Sequence, residues 1–476
     1  IYILPIICYN LFTRGVSMKN VIKFLFLLSI VPSLFNAKEN TQQTSKGYVL
    51  NSQSSVPSKY GRIHTDKQIN FADKTSTNST KKLRQASLPS SYSSVEAGYI
   101  TSVKNQNPYG TCWAFAASAA SEASLIKNNG FDKNSINLSE LHLAYFTYNN
   151  SYDELGLLSG DSFTITSDSY LEYGGINYNS MLSYARWTGP ADEGKNTKYS
   201  YSNANKSFKA TSTSDAYSLT EAHLKNCYII DTSDISLMKQ MILEYGAGDF
   251  GYYHDENDRY FNDTYDSYCY VQSVNTSSNR FNWANHEVTV VGWDDNFSRT
   301  KFSSNSRPTN NGAWLVKNSW GSGWGDNGYF WLSYEDSSTI AEPTAFYSFD
   351  SKDHYEKNYQ YDGTSDFYAE YSDNEEQGGY TGGGYMANVF TAQENENVGA
   401  VTFVSFDENI KYEISVYDNV NNTPTSGKLV SQKSGVETYA GFHTIELDTI
   451  PTINKGNKFA VVVRLTSSSN ASDSIT

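Results

Sequence analysis

The sequence predicts an α+β unit followed by an all-β sandwich. An alanine-rich pattern over residues 112–127 indicates a helix, and the apolar runs 288–293 and 312–317 indicate buried strands. Beyond residue 345, short alternating segments such as 412–416 are separated by turn-rich stretches, which is typical of a sandwich. A chain of 476 residues has room for two such units and for processed segments, at about 150 residues per domain.

The charge balance and the composition exclude several classes of protein. The chain has 36 Lys and Arg residues against 51 Asp and Glu residues, and the net charge of −15 argues against a nucleic-acid partner. Aromatic residues make up 15 % of the chain, which is more than a disordered chain carries. No apolar run is long enough for a multi-span membrane protein. Four cysteines without a CxxC pair indicate neither a disulfide-dense scaffold nor a zinc motif.

The N-terminal residues predict the compartment. Residues 18–37 begin with a short basic stretch and continue into an apolar one, which is the layout of a secretory signal peptide. We expect residues 1–17 to be an upstream or non-native extension. An uncleaved N-terminal anchor is the alternative, because Phe35 fits poorly at the third position before a cleavage after Ala37. Both interpretations place the folded part outside the cytoplasm, secreted or at the cell surface, with no other membrane contact.

A cysteine stands at the predicted start of the alanine-rich helix. A turn marked by Pro108 and Gly110 leads directly into this helix, and Gly130 is its stop signal. Cys112 therefore lies in the first helical turn, where unpaired N–H groups and the helix dipole favour a thiolate. The alternative interpretation is a buried structural cysteine.

A histidine and an asparagine stand at the ends of the two strand patterns. His286 opens the run 288–293, and Asn318 follows the run 312–317. Asn318 is placed to accept the ring N–H of His286 and to fix its tautomer, with Trp320 shielding that hydrogen bond from water. His254, by contrast, lies among acidic residues without a complete calcium-loop spacing, and we expect it in an ordinary solvated loop.

Three blocks of this sequence, residues 106–116, 285–294 and 312–330, resemble the signature blocks of the papain-like cysteine peptidases. The resemblance implies a peptidase domain over residues 88–340. In that fold a helical subdomain that carries the cysteine faces a β-rich subdomain that carries the histidine and the asparagine.

The resemblance also implies a role for each site residue. Cys112 would be the nucleophile, His286 the general base and then acid, and Asn318 the residue that orients the histidine. Gln106 would complete the oxyanion hole with its side-chain amide, beside the backbone N–H of Cys112. Trp324 would resemble the family's aromatic residue on the leaving-group side. This mechanism requires no metal and no cofactor.

The sequence departs from the family pattern at several points. Tyr109 stands where the family usually has a cysteine, so the usual disulfide is absent, and Thr111 replaces the usual Ser or Ala. The interval from Cys112 to the histidine is longer than the roughly 130–150 residues noted for the family. Cys227 and Cys269 are a candidate disulfide in an oxidising compartment, although spacing alone leaves their proximity open.

Residues 38–87 are rich in Ser, Thr, Lys, Asn and Gln and read by themselves as a linker or a detachable segment. Secreted papain-like enzymes are commonly made as zymogens, so the resemblance favours a propeptide here. A surface tether is the alternative.

Residues 345–476 resemble the lectin-like domain that follows the peptidase in clostridial cell-wall cysteine proteases, on the stretches 359–362, 387–390 and 398–416. A cell-wall or glycan ligand and a calcium site of unassigned ligands are candidates there. The alternative is a sandwich that only packs against the peptidase. We expect this domain to be truncated.

The sequence therefore predicts a monomeric, secreted or cell-surface cysteine endopeptidase that is made as a zymogen. It would hydrolyse peptide bonds of protein or peptide substrates through a thioester intermediate. The alternative is a surface-binding or adhesin-like protein whose peptidase domain serves only self-processing or is inactive.

Overall fold

The computed structural model describes residues 88–149, 155, 157, 170–271, 284–340, 343–361 and 384–466. For the short strands Tyr2–Ile3, Tyr48–Leu50 and Phe367–Ala369 the backbone alone is described. The predicted signal peptide lies outside the described residues, as do all but three residues of the predicted propeptide. No helix in the described part of the chain combines the length and the apolar character needed to cross a membrane.

Five α-helices lie among the described residues, and all of them belong to the first unit. They are α1 (Cys112–Asn129), α2 (Glu140–Thr147), α3 (Asn177–Ala185), α4 (Asp215–Ser218) and α5 (Ile235–Tyr245). Single 3₁₀ turns occur at Thr197–Tyr199, Tyr201–Asn203 and Arg299–Lys301.

The central helix α1 is buried along most of its length. Its many alanines favour the helix and allow the sheet and the other helices to approach closely. The helix ends at Gly130, which adopts a left-handed φ of 74° that glycine takes without strain. The start at Cys112 and the stop at Gly130 both agree with the sequence prediction.

The first unit contributes nine strands to one large sheet. They are β1 (Ser91–Ser93), β2 (Ala222–Asp231), β3 (Gly248–Tyr252), β4 (Phe261–Asn262), β5 (Ser267–Tyr268), β6 (His286–Asp294), β7 (Ala313–Lys317), β8 (Tyr329–Ser333) and β9 (Pro343–Ser351). The strand β10 (Asn358–Tyr359) follows outside this sheet.

The second unit contains the remaining labelled strands. They are β11 (Gly384–Thr391), β12 (Glu396–Asn397), β13 (Ala400–Ser405), β14 (Ile410–Asp418), β15 (Lys428–Glu437), β16 (Ala440–Glu446), β17 (Thr452–Ile453) and β18 (Lys458–Thr466).

The large sheet is continuous across the two units. Its strand order is β13-β16-β2-β9-β3-β6-β7-β8-β5-β4, and β1 pairs with β6. The expected domain boundary at residue 345 falls inside β9, which pairs with β2 and β3, so the sheet of the first unit extends to Ser351. The strand β16 of the second unit pairs antiparallel with β2.

A second sheet of order β11-β18-β14-β15 completes the predicted sandwich. Its inner residues, such as Ile414 and Val463, pack against Val401 and Phe403 of β13. The opposite face of the β13–β16 pair contributes Phe442 to the core around α1. The β13–β16 pair is therefore buried on both faces and belongs to two hydrophobic cores.

The first unit has two main cores, as expected for two subdomains. One lies among the helices and includes Trp113 and Leu141, and the other lies on the sheet and includes Val288 and Phe330. The helix α1 packs against β6, β9 and β3 and thus lies where the two subdomains meet.

The structure contradicts the candidate disulfide between Cys227 and Cys269. Both thiols are buried, and neither forms a disulfide. Cys227 lies on β2 in the helical core, whereas Cys269 belongs to a separate small cluster with Phe297 and Phe302. Burial raises the pKa of both thiols, so both are kept as neutral core groups.

The close pairing of β16 with β2 requires glycine at position 441. Gly441 has a φ of 122°, and a Cβ there would overlap the carbonyl oxygen of Cys227. Gly456 has a positive φ of 82° but nothing within 4 Å of an added Cβ.

We expect Gly456→Ala to cost about 1–2 kcal/mol of unfolding free energy from backbone strain alone. Gly441→Ala is expected to cost clearly more, because it also separates the two units. Urea unfolding measures both, and equal losses would contradict this role of Gly441.

Buried histidines predict acid sensitivity. Burial lowers the pKa of His443, on β16, to about 3, whereas an unfolded chain protonates histidine near 6.5. The unfolded state therefore binds the extra proton first, and the stabilisation present above pH 6.5 is lost as the pH falls toward 3. We expect His443→Gln to reduce the loss of unfolding free energy between pH 7 and pH 4. Urea titrations at the two pH values measure this, and an unchanged loss would contradict it.

Candidate active site

Cys112 is the first residue of α1, and its side chain is completely buried. The carbonyl of Thr111 accepts the N–H groups of Ala114 at 3.0 Å and Phe115 at 3.3 Å. No acidic residue lies in the first turn, so nothing there offsets the positive end of the helix dipole. This position favours the thiolate form of Cys112.

His286 and Asn318 are joined by a short, buried hydrogen bond. The Nε2 atom of His286 lies 2.8 Å from Oδ1 of Asn318, and both side chains are at most 3 % exposed. His286 begins β6 and Asn318 follows β7, and the antiparallel pairing of these strands brings the two side chains together. Oδ1 of Asn318 also accepts the N–H of Ser319 at 2.8 Å, which holds the carboxamide in this orientation.

Trp320 packs directly on this pair, and Trp324 packs against Trp320. The indole of Trp320 stacks on the imidazole of His286, with ring centroids 4.6 Å apart and an interplanar angle of 17°. Trp324 meets Trp320 edge-on at 5.1 Å and packs against Phe330. Trp320 therefore covers one face of the His286 ring, and the exclusion of water from the hydrogen bond stays a prediction.

Burial lowers the pKa of His286 to about 3, although the hydrogen bond to Asn318 favours the protonated ring. A charged imidazolium at this buried site therefore needs a negative partner. The predicted partner is the Cys112 thiolate.

Gln106 is fixed by the same loop that carries Asn318. Its backbone N–H donates to the carbonyl of Ser319 at 2.8 Å, and its Oε1 accepts the hydroxyl of Ser319 at 2.7 Å. Its Nε2 donates to the carbonyl of Tyr109 at 2.9 Å. The side-chain amide is thereby oriented with its oxygen on Ser319 and its nitrogen on the side of the turn that leads to Cys112.

Two contacts connect the segments that carry the four predicted residues. Asn105, beside Gln106, forms a bridge with Trp320. The hydroxyl of Thr289 on β6 donates to the carbonyl of Ala116, one helical turn beyond Cys112, at 3.3 Å. The Gln106 loop, the start of α1, the start of β6 and the Asn318 loop therefore meet where the two subdomains join.

A buried charge network lies next to this site, and sequence reasoning missed it. Lys104 pairs with Glu122 at 3.0 Å and with Glu140 at 2.7 Å, and Lys317 donates to Thr101 at 3.1 Å. Because Lys104 precedes Gln106 by two residues and Lys317 immediately precedes Asn318, the network braces both loops. A charged residue inside an alanine-rich helix was the signal available for Glu122.

The pKa directions in the network follow from burial and pairing. Burial opposes charge on Lys104, but Glu122 and Glu140 raise its pKa above the ordinary value. Burial raises the pKa of Glu140 to about 7 and lowers that of Lys317 to about 8. Pairing therefore keeps Lys104 charged, whereas burial favours the neutral forms of Glu140 and Lys317.

The prediction of a solvated loop at His254 is wrong. The side chain is 4 % exposed, and its Nδ1 lies 3.1 Å from the hydroxyl of Tyr252. Its Nε2 lies 3.3 Å from Asp258, and its ring packs edge-on against Trp320 at 4.8 Å. The acidic stretch is neutralised internally, since Arg259 also pairs with Asp255 at 2.6 Å. Such pairing is set by the loop conformation, which local composition does not indicate.

One group of three potential metal ligands occurs among the described residues, and it lies at the junction of the two units. Asp350, His354 and Glu446 place ligand atoms within 4.8 Å of one another. The ammonium of Lys225 lies 3.2 Å from Asp350 and 3.0 Å from Glu446 and supplies a positive charge there. A calcium site in the second unit stays a prediction.

The charge network predicts a large effect of one substitution. Lys104→Met leaves two buried carboxylates without their shared counter-charge, and we expect a loss of about 3–5 kcal/mol in unfolding free energy. Lys195→Met removes a pair with Glu221 whose lysine side chain is 64 % exposed, and we expect a loss below about 1 kcal/mol. Chemical unfolding of both variants checks this, and similar losses would contradict a structural role for the network.

Comparison with known proteins identifies both units. The profile of the papain family cysteine proteases matches residues 88–349, and the profile of the lectin like domain matches residues 359–475. Fruit bromelain of Ananas comosus is 28 % identical over 255 residues, which are 51 % of this chain and 54 % of bromelain. Cathepsin K of Mus musculus is 27 % identical over 248 residues, 52 % of this chain and 60 % of the cathepsin. The chain thus spans little more than half the length of these curated relatives.

A solved structure of the cysteine protease and lectin-like domains of Cwp84 resembles both units. Cwp84 is described there as a surface layer associated protein of Clostridium difficile. The likeness has a TM-score of 0.62 and 24 % identity and covers 87 % of this chain and 81 % of that chain. A structure of a Cwp84 variant after propeptide cleavage gives a TM-score of 0.62 at 26 % identity. The match covers 81 % of this chain and 87 % of that chain. Since the peptidase profile matches more than half of the residues, this chain belongs to the papain family of cysteine proteases, with a lectin-like domain after the peptidase domain.

Proposed function

We propose that this chain is a cysteine endopeptidase in which Cys112, His286 and Asn318 form the catalytic triad. The observation that carries the proposal is the buried 2.8 Å hydrogen bond between Nε2 of His286 and Oδ1 of Asn318. It fixes the ring so that Nδ1 is the nitrogen that exchanges a proton with Cys112. The cysteine itself starts a helix that packs against the strand of the histidine.

The reaction then proceeds by acyl transfer. The Cys112 thiolate attacks the carbonyl carbon of a peptide bond, and the oxyanion that forms accepts hydrogen bonds from the Gln106 amide and the Cys112 backbone N–H. His286 gives its Nδ1 proton to the leaving amine as the C–N bond breaks, which leaves a thioester. His286 then removes a proton from water, and the hydroxide attacks the thioester carbonyl. The departing sulfur is released as the thiolate, and the histidine keeps the proton for the next cycle.

In this buried site, Cys112 and His286 are more stable as two neutral groups or as an ion pair than with only one of them charged. An isolated imidazolium is disfavoured because burial lowers the pKa of His286 to about 3. A thiolate beside it supplies the counter-charge, and the start of α1 stabilises the thiolate in turn. The imidazolium–thiolate pair therefore forms as one unit.

Three further features of the chain belong to this proposal. We propose that residues 18–37 direct secretion and that residues 38–87 act as a propeptide, which the structure of Cwp84 after propeptide cleavage supports by analogy. The surface-layer association of Cwp84 favours a secreted or cell-surface location for this chain. We also propose that the lectin-like domain is the part that contacts a cell-wall or glycan ligand, while protein or peptide substrates bind at the peptidase cleft.

Removal of the nucleophile is the first test. Residues 38–476 are incubated under reducing conditions with denatured casein and with a thiol-alkylating epoxide, beside Cys112→Ala. We expect both cleavage and labelling to disappear in the variant.

Gln106→Ala is expected to lower kcat by about 10²- to 10³-fold, because one oxyanion donor is lost.

The controls separate peptidase from binding protein. The Cys269→Ala variant removes a buried cysteine from a cluster that contains none of the proposed catalytic residues, and it is expected to keep both cleavage and labelling. If a folded protein freed of its N-terminal segment shows neither cleavage nor labelling, the peptidase proposal is wrong. Retention on cell-wall glycan would then favour the adhesin-like alternative.

A further inference from the structure

We propose that Tyr201 is a positioning residue for the oxyanion hole of this peptidase. Its side chain bridges the residue that carries one oxyanion donor and the residue that immediately precedes the other. This inference rests on the proposed function, because it assigns Tyr201 a part in placing Gln106 relative to Cys112.

The side chain of Tyr201 contacts the segment 106–115 at three points. Its hydroxyl donates to the backbone carbonyl of Gln106 at 2.7 Å and lies 2.6 Å from the hydroxyl of Thr111. Its ring meets the ring of Phe115 edge-on at 4.7 Å, with an interplanar angle of 86°. These contacts lie on both sides of Cys112 in the sequence.

The protons of this cluster can be assigned. A phenol has one proton, and the carbonyl of Gln106 can only accept, so Tyr201 donates to Gln106 and Thr111 donates to Tyr201. The result is a chain of two hydrogen bonds that runs from the start of α1 to the oxyanion residue. Burial raises the pKa of Tyr201 above its ordinary value, which keeps the phenol protonated as this chain requires.

The residue that forms the bridge is itself held in place. The backbone N–H of Tyr201 donates to Oε2 of Glu193 at 3.0 Å, and Oε1 of Glu193 accepts the amide of Asn137 at 2.6 Å. Tyr201 is also the first residue of the 3₁₀ turn Tyr201–Asn203. Tyr201 is therefore fixed in position, and the Gln106 loop is held against its side chain.

The loop needs such a support. Tyr109 stands where the family usually has a cysteine, and no disulfide joins the cysteines in the described part of the chain. Other hydrogen bonds place the N–H and Oε1 of Gln106 on Ser319 and its Nε2 on the carbonyl of Tyr109. Its carbonyl accepts Tyr109 N–H at 3.1 Å within the turn, and Tyr201 is the link from that carbonyl to the helix of Cys112.

The consequence is specific to one stage of the reaction. The oxyanion exists only after attack, and its stabilisation depends on the distance between the Gln106 amide and the Cys112 N–H. Loss of the Tyr201 hydroxyl leaves the distance between the Gln106 amide and the Cys112 N–H unfixed, although both donors remain. The effect therefore falls on the transition state for acyl transfer and not on substrate binding.

The test compares Tyr201→Phe with Tyr199→Phe. Tyr199 donates to Asp215 at 2.6 Å, so the control also removes one tyrosine hydroxyl bond two residues away. We expect Tyr201→Phe to lower kcat by roughly 10- to 100-fold with KM nearly unchanged, since small displacements at a reacting centre have effects of this size. Tyr199→Phe is expected to keep the wild-type kcat.

A second measurement distinguishes positioning from general damage to the site. Alkylation of Cys112 by iodoacetamide passes through no oxyanion, so its rate reports the thiolate alone. We expect this rate to be unchanged in Tyr201→Phe. A parallel fall of kcat and of the alkylation rate would overturn the proposal, because it would indicate a disturbed nucleophile.

A double-mutant cycle tests the route through Gln106. In a Gln106→Ala background, Tyr201→Phe is expected to lower kcat by less than twofold, because the donor that it positions is already absent. An equal loss in both backgrounds would overturn the proposal, as would a wild-type kcat in Tyr201→Phe. If Tyr201→Phe fails to fold, Thr111→Val cuts the same hydrogen-bond chain at its other end and is expected to show the same selective loss of kcat. Failure of the proposed function would differ from all of these, since the wild-type protein would then show no Cys112-dependent turnover.

Discussion

The proposed chemistry depends on one buried contact, the hydrogen bond between His286 and Asn318 beneath Trp320. Burial makes a charged imidazole costly, so the ring stays neutral unless a thiolate forms beside it, and the same burial strengthens the bond that fixes its orientation. The contact exists because β6 and β7 pair with Thr289 opposite Lys317 and Val290 opposite Val316 at this end of the strands. A shift of that register by one residue would turn Asn318 or His286 to the other face of the sheet.

The supports of the site come from several distant parts of the chain. Ser319 holds Gln106 through two hydrogen bonds, and the Lys104 network braces the segments before Gln106 and before Asn318. Neither support touches the proposed reacting atoms. Each limits how far the loops can move. This limit matters because the stabilisation of the oxyanion depends on its distances to the two donors.

The lectin-like domain is joined to the peptidase domain more closely than a tethered accessory module would be. Its strand β16 extends the peptidase sheet, and Phe442 enters the core around α1 while the opposite face packs in the sandwich. The two domains therefore share one β-sheet and part of one hydrophobic core, in addition to following each other in the sequence. We infer that truncation at the domain boundary would expose core residues on both sides.

The sequence by itself determined the local features of this protein. Glycine and alanine patterns placed the start and the end of α1, apolar runs placed β6 and β7, and the resemblance of three sequence blocks to the papain-like peptidases singled out the four site residues. Contacts between residues far apart in the chain were decided by tertiary structure alone, because local patterns carry no information about which elements meet. The free state of Cys227 and Cys269, the burial of His254 beside Trp320, and the pairing of β16 with β2 are of this kind. Each depends on which partner the folded chain brings within a few ångströms, and only the complete fold sets that distance.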